Sequence, residues 1–309
     1  VSAFDAYCDI EGSIKGTVLL DEPMGRHTSF RIGGPASLFI ECACLADISR
    51  CLEVLSAHDL PWCVIGKGSN LLVDDAGFNG AVLTLGSEFK YFSFPDETEG
   101  ERLLVAGAGV LLSNLVQDAF KNGYSGLEFC VGIPGTFGGA LYMNAGTGSE
   151  GMGGIVDSIT VLRPGEGLKR YGNSDLPWHY RRSGVPTGEI VVEGRLRVKK
   201  GHLPSIRAKM EANLKRRRRN QPLTVPSAGS VFRNPPDSDA SAAQLIEKLG
   251  LKGYTVGGAR VSEVHANFIV NEGQATAQDV VAIIQHIRRC VKEGYGQELQ
   301  PEIRFIGFQ

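Results

Sequence analysis

The sequence predicts a fold that mixes helices with strands and extends over two or three domains. Three observations carry this. A chain of 309 residues is long enough for several domains with sizeable cores. Short apolar or alternating runs interleave with segments whose apolar residues recur at helical spacing. The 40 glycines, about one residue in eight, concentrate in short turns without any Gly-X-Y period, which suggests close backbone approach to something bulky.

Along the chain, "SLFIECA" (37–43) has strand composition. In "LADISRCLEVLSAHDLP" (45–61), Leu45, Ile48, Leu52 and Leu55 form a helical stripe closed by a proline. "WCVIG" (62–66) is a short buried strand, and "LLVDDAGFNGAVLTL" (71–85) reads as strand, Gly-turn, strand. The strand "RLLVAGAG" (102–109) leads into the helix "LLSNLVQDAFKNG" (111–123), where Leu112, Leu115, Val116, Ala119 and Phe120 share a face. "VDSITVLRP" (156–164) and "EIVVEGRLRVKK" (189–200) are strand-like, and a helix over 205–220 stops before Pro222. Ser241 and Gln244 fit a capping box opening the helix of 241–250. "HANFIVN" (265–271) is a strand. Thr276 and Asp279 then cap a long helix whose stripe is Val280, Ile283, Ile284, Ile287 and Val291, ending before Gly294. Boundaries are expected near 86 and 216. Residues 1–20 have no assignment beyond a loosely packed extension.

Composition narrows the function classes. With 42% hydrophobic and 21% charged residues the chain is of ordinary globular type, and a net charge of -2 gives no electrostatic argument for nucleic acid or an anionic membrane. The seven cysteines are odd in number and several sit in apolar runs, so free thiols are expected. Cys42-x-Cys44 without a second cluster is a weak metal signal, and no metal is expected. No signal peptide or apolar run of membrane-spanning length stands out, so the chain reads as cytoplasmic.

Two stretches imitate a dinucleotide fingerprint. "GAGVLL" (107–112) lacks the third glycine, and no acidic residue ends a second strand about 20 residues on. "GKGSN" (66–70) has no helix after it; it is either a phosphate nest built on backbone N–H groups, Ser69 and Asn70, or an ordinary strand-to-strand turn. "GIPGTFGGALYMNAG" (132–146) is more specific. Its glycines and alanines leave backbone open to a flat ring system, while Ile133, Phe137, Leu141 and Met143 require burial. "KRRRRN" (215–220) reads by default as a solvated helix end, with one or two arginines free to meet a phosphate. On residue type alone, Arg181 and Glu302 are surface ion-pair members, His265 is a half-buried histidine, and nothing in spacing joins them to Ser230.

Taken together, these strings resemble one family over almost the whole chain, the UDP-N-acetylenolpyruvoylglucosamine reductases of peptidoglycan precursor synthesis. The matching stretches are "HTSFRIGGPA" (27–36), "GKGSNLLV" (66–73), "GIPGTFGGALYMNAG" (132–146), "YRRS" (180–183), "SAGSVFRNP" (227–235), "GGARVSEVHANFIVN" (257–271) and "LQPEIRFIG" (299–307). The resemblance implies an α+β architecture: a two-domain FAD-binding fold of the vanillyl-alcohol-oxidase (PCMH-type) class plus a third α+β substrate-binding domain. The expected division is 1–85 and 86–215 for FAD, with 300–309 returning to the latter, and 216–299 for substrate. FAD is expected to bind non-covalently. Gly66, Lys67, Gly68, Ser69 and Asn70 would hold its pyrophosphate. Gly132, Ile133, Pro134, Gly135, Gly138, Gly139, Ala140, Asn144, Ala145 and Gly146 would lie along the flavin.

The implied reaction has two halves. NADPH reduces FAD and leaves; hydride then passes from flavin N5 to the vinyl carbon of the enolpyruvyl nucleotide. Matching the motifs makes Ser230 the proton donor to the α carbon, with Arg181 and Glu302 holding the carboxylate and the charge that develops there. Tyr180, Arg217, Asn234 and His265 fall where the family contacts substrate. Arg233 stands where the family often has Lys, and His179 where it often has Gly. With Arg181 and Ser230 only 49 positions apart, the chain resembles the family's shorter form, which lacks a tyrosine-bearing loop. A monomer without nucleic-acid or membrane partners is expected. Two other readings stay open: an FAD-linked oxidase of the same fold class, which needs no proton donor, and a nucleotide-sugar binder without chemistry.

Overall fold

The computed structural model describes residues 2–94, 103–148 and 150–308. The chain forms two compact units. The first comprises residues up to Leu20, Leu38–Gly66 and Gly80–Lys215; the second comprises Asp21–Ser37, Lys67–Asn79 and the chain from Arg216 onward.

In the first unit, residues 2–20 are not a loose extension. Ser2 and Asp5 form a capping box that starts a helix over Ala3–Ile10, and Ala6 and Ile10 are fully buried. Asp47, itself buried, pins the following loop by accepting the backbone N–H groups of Lys15 (3.0 Å) and Gly16 (2.9 Å). It also accepts from Ala43 N–H (2.8 Å) and the Cys44 thiol (3.2 Å). Burial alone raises a carboxyl pKa, but these donors outweigh it and hold Asp47 below its ordinary value. The predicted stripe of the helix Leu45–Ala57 packs as expected, with Ile48, Leu52 and Leu55 buried beside Cys51. It belongs with a four-stranded sheet ordered Thr17–Pro23, Pro35–Cys42, Phe78–Leu85, Trp62–Val64.

A second sheet of this unit is ordered Gly167–Gly172, Val156–Arg163, Ile190–Arg197, Leu103–Gly107, Phe92–Ser93, each neighbouring pair antiparallel. The strand expected over 102–109 is seen from Leu103; Arg102 lies outside the described residues. The helices Leu112–Lys121 and Phe137–Tyr142 contribute Leu112, Leu115, Phe137 and Leu141 to the same core as Leu104, Ile159, Val161 and Leu196. Close packing requires a bare backbone opposite the second helix: a Cβ at Gly194 would lie 2.5 Å from Leu141 and 2.9 Å from Phe137.

The second unit holds an antiparallel sheet ordered Ser227–Ser230, Phe268–Asn271, Ala259–Val261, Thr255–Val256. Its helices Ala242–Lys248 and Ala277–Tyr295 carry the capping boxes read from the sequence, and the stripe from Val280 to Val291 is buried. The long helix runs through Gly294 and ends when Gly296 turns left-handed (φ 66°). The C-terminal strand corrects an expectation. Arg304–Ile306 does not pair with 86–215 but lies parallel to Leu71–Val73. Two strands so far apart in sequence carry no local signal of their pairing.

Candidate active site

Ser230 is placed by a β-bulge. The strand Ser227–Ser230 pairs Ser227 with Val270 and Ser230 with Phe268, so one extra residue is accommodated between the pairs. Gly229 absorbs it at φ +79°, a conformation open to glycine and strained for other residues. Ala228 and Val231 are both buried while Ser230 is half-buried, and its hydroxyl makes no hydrogen bond among the described residues.

Glu302 is brought beside this serine by backbone pairing. Its N–H donates to the Val231 carbonyl (2.7 Å), Pro301 bridges Phe232, and Arg233 N–H donates to the Gln300 carbonyl (2.9 Å). The carbonyl of Glu302 accepts from the Asn70 side-chain amide (3.2 Å), and Arg304 N–H donates to the Asn70 carbonyl (2.9 Å). Thus the end of the "GKGSN" turn and the segment carrying Glu302 are one hydrogen-bonded piece. Gly68, at φ +63°, has no room for a side chain, since a Cβ would lie 2.1 Å from the His27 carbonyl oxygen. Ser29 fastens the turn from the other side. Its N–H donates to the Gly68 carbonyl (3.1 Å), and its hydroxyl donates to the Ser227 carbonyl (2.6 Å) at the start of the serine strand.

Two side chains that sequence reasoning passed over hold this cluster: Ser29 and Asn267. Asn267, buried, accepts Phe232 N–H on Oδ1 (2.9 Å) and donates Nδ2–H to the Phe232 carbonyl (2.8 Å). Its carboxamide therefore prolongs the ladder where strand pairing stops. The only local signal was an amide inside the apolar run "HANFIVN". Asn234 is also engaged, with Oδ1 accepting Ala242 N–H (3.1 Å) at the start of a helix and its amide nitrogen remaining for other contacts.

His265 stands at the edge of the same sheet, its ring edge-on to Phe268 at 4.8 Å. Nδ1 accepts Asn267 N–H (3.2 Å), so the neutral ring carries its proton on Nε2. Burial first, then the Lys252 ammonium, hold its pKa below the ordinary value, with the Glu247 carboxylate opposing. A histidine whose folded pKa is depressed destabilises the native state as pH falls, because the unfolded chain takes up the proton first. Wild type is therefore expected to lose more stability than His265→Gln between pH 7 and the folded pKa, with no difference in slope above about pH 7. Urea midpoints measured along a pH series check this; parallel curves for the two proteins would remove the effect.

In the first unit, the 132–146 stretch combines buried apolar anchors with exposed small residues. Phe137 and Leu141 are fully buried and fix the helix, and Gly138 packs so tightly that a Cβ would lie 2.6 Å from Ala108 Cβ. Gly132, Pro134 and Gly139 face outward. Thr136 caps the helix by accepting Gly139 N–H (3.3 Å), and Gly66 backs onto it, a Cβ there lying 2.3 Å from Thr136 Oγ1. The result is backbone exposed at Gly132, Pro134 and Gly139 over an apolar base, while Gly138, Ala140 and Gly146 of the expected flavin contacts are buried.

Arg181 stands on a tight turn. His179 N–H donates to the Arg182 carbonyl (2.8 Å) and Arg182 N–H to the His179 carbonyl (3.1 Å), with Arg181 itself at φ +58°. Its guanidinium donates to the Gly146 carbonyl (3.0 Å) and lies 4.9 Å from the ring centroid of Tyr180, a residue 50% exposed. Of the basic run 215–219, Arg217 alone is partly buried, while its neighbours are exposed. A cavity of about 570 Å³ along the second sheet, lined by Arg170, Arg195 and Arg197, contains none of these residues. All seven cysteines are free, and burial pushes the Cys63 thiol up to about 12. No group of three or more potential ligands for a metal exists among the described residues.

Residues 221–306 match the family described as UDP-N-acetylenolpyruvoylglucosamine reductase, C-terminal domain, and residues 36–164 match the FAD binding domain family. A UDP-N-acetylenolpyruvoylglucosamine reductase of Heliobacterium modesticaldum is 44% identical over 299 residues, covering 96% of this chain and 93% of that protein. The chain belongs to the UDP-N-acetylenolpyruvoylglucosamine reductase family. The Bacillus subtilis reductase is 38% identical over 294 residues, with 94% and 95% covered. The crystal structure of the Thermus caldophilus reductase superposes with a TM-score of 0.79 at 35% identity, over 95% of this chain and 99% of that one. A BBE-like 1 protein of Physcomitrella patens shares the fold alone, at 12% identity, with a TM-score of 0.57 over 97% of this chain and 90% of that one. The reductase fold is thus an FAD-binding domain of the PCMH type joined to the family's C-terminal domain. No helix among the described residues is long and apolar enough to cross a membrane.

Proposed function

We propose that this protein reduces the enolpyruvyl ether of UDP-N-acetylglucosamine enolpyruvate to UDP-N-acetylmuramate, with NADPH as the electron source. The chemistry that FAD supplies when bound is hydride transfer, taken from NADPH and delivered to the terminal vinyl carbon. Addition of H⁻ there leaves an electron pair on the carbon next to the carboxylate, an enolate-like dianion. Such a species is a strong base, so a hydroxyl is acidic enough to quench it without a near-neutral pKa. Ser230 gives that proton, and the new C–H bond completes the lactyl ether. Arg181 holds the substrate carboxylate as its counter-charge, with Glu302 as a hydrogen-bonding partner in the same task.

The observation that supports this most directly is the hydrogen-bonded piece formed by Asn70, Glu302 and Val231. It joins the backbone of Glu302 to the residue after Ser230, whose hydroxyl makes no hydrogen bond among the described residues, and to the turn assigned to the pyrophosphate. Backbone of Gly66, Lys67, Gly68, Ser69 and Asn70 takes the pyrophosphate. Gly132, Ile133, Pro134, Gly135, Gly138, Gly139, Ala140, Asn144, Ala145 and Gly146 lie along the ring. Tyr180, Asn234 and His265 contact the sugar nucleotide, and Arg217 its diphosphate. Residues 1–85 and 86–215 serve FAD, and 216–299 serve the substrate, in a monomer that acts in the cytoplasm.

The purified protein is expected to be yellow, to bleach with NADPH under anaerobic conditions, and to recover its colour on addition of the enolpyruvyl nucleotide. Rapid recovery in air without that nucleotide would point to an oxidase. A colourless protein that takes up no flavin would point to a binder.

A further inference from the structure

Among the described residues only five that are not glycine have positive φ, and two of them, Asn144 (44°) and Arg181 (58°), belong to one small network. Strained backbone persists only where the surroundings over-determine it. For Arg181 those surroundings are short. Ser183 donates through its hydroxyl (2.9 Å) and its N–H (3.2 Å) to the Tyr142 carbonyl, just after the turn. Just before it, Asn144 Nδ2–H donates to the His179 carbonyl at 2.8 Å. The other end of the same carboxamide, Oδ1, accepts Gly153 N–H at 2.9 Å. Both partners are backbone groups of fixed polarity, so the orientation of the amide is unambiguous. The His179 carbonyl thereby accepts twice, from Asn144 and from Arg182. Trp178 closes the other side, its ring so near Gly153 that a Cβ there would lie 2.7 Å away.

We propose that Asn144 is the positioning residue for Arg181: its carboxamide clamps the 178–183 turn to the glycine-rich stretch and so fixes where the guanidinium points. The inference rests on the reading of Arg181 as the cation that meets the substrate carboxylate. It moves the side chain of Asn144 away from direct flavin contact, because both of its polar ends are already taken by backbone. Asparagine suits the position twice over, since it tolerates left-handed backbone and offers a donor and an acceptor at once.

Asn144→Gly is the test, because glycine adopts φ 44° without strain and deletes only the two side-chain bonds. In the FAD-loaded protein, amide exchange of residues 178–183 should rise by about 10-fold, the effect of losing one such hydrogen bond. Oxidation of the reduced protein by the enolpyruvyl nucleotide should fall by up to ~10² relative to its reduction by NADPH, as for a misplaced catalytic group. Asn144→Asp, which keeps an acceptor for Gly153 but sets an anion against the His179 carbonyl, should loosen the turn as well and serves if the glycine variant does not fold. Unchanged exchange at 178–183 overturns the proposal, as does equal slowing of both half-reactions. If Arg181→Gly spares the substrate step, the assignment of Arg181 fails instead, and the exchange measurement still decides whether Asn144 holds the turn.

Discussion

Ser230→Ala is expected to take up FAD and be bleached by NADPH like the wild type, yet to be reoxidised by the enolpyruvyl nucleotide slower by about 10²–10⁴, roughly 3–5 kcal/mol of barrier. The size follows from removing a general acid while leaving hydride delivery in place. The variant should fold normally, because the strand's partners at residue 230 are backbone groups of Phe268 and the hydroxyl makes no hydrogen bond among the described residues. Rapid-mixing absorbance of the two half-reactions separates the steps. Equal reoxidation rates for variant and wild type would take Ser230 out of the chemistry.

Replacement of Arg181 should separate stability from activity. Left-handed backbone costs a non-glycine residue roughly 1–2 kcal/mol, and Arg181 sits there at φ 58°. Arg181→Gly and Arg181→Ala both lose the bond to the Gly146 carbonyl and the contact with Tyr180, but only the glycine variant escapes the strain. The glycine variant should therefore be more stable than the alanine variant by about 1 kcal/mol. Both should lose about 10²–10³ in the substrate half-reaction, the usual effect of deleting a group that stabilises developing negative charge. Chemical denaturation and single-turnover reoxidation check the two parts. Equal stability of the variants would mean the turn is not strained, and loss of flavin alone would make Arg181 structural.

Much of the fold was legible locally. The capping boxes at Ser241 and Thr276 and the stripe from Val280 to Val291 are short-range patterns, and each forms as read. Gly294 did not end its helix, because a helix whose apolar face is already packed tolerates one glycine, and Leu249 lies against it. The N-terminal helix carries its own capping box at Ser2 and Asp5, a local signal passed over, while Asp47, more than 30 residues on, fixes only the loop that follows it. The candidate site was legible only through resemblance. The backbone of Glu302 reaches the residue after Ser230 because 300–302 runs beside 231–233, and Arg181 owes its pose to Asn144 and Gly146. Ser29 and Asn267 were missed for the same reason: each acts on backbone remote in sequence, which spacing does not encode.

The bulge at Gly229 has a consequence for how this strand tolerates change. Side chains of a strand alternate between faces, so the supernumerary residue inverts the parity of everything after Ala228. In an unbulged strand of the same length the alcohol would turn toward the oily interior and Val231 would be expelled, all without altering the residue types that define the motif. One further residue inserted at the bulge would have that effect, whereas deleting Gly229 would leave both side chains on their present faces.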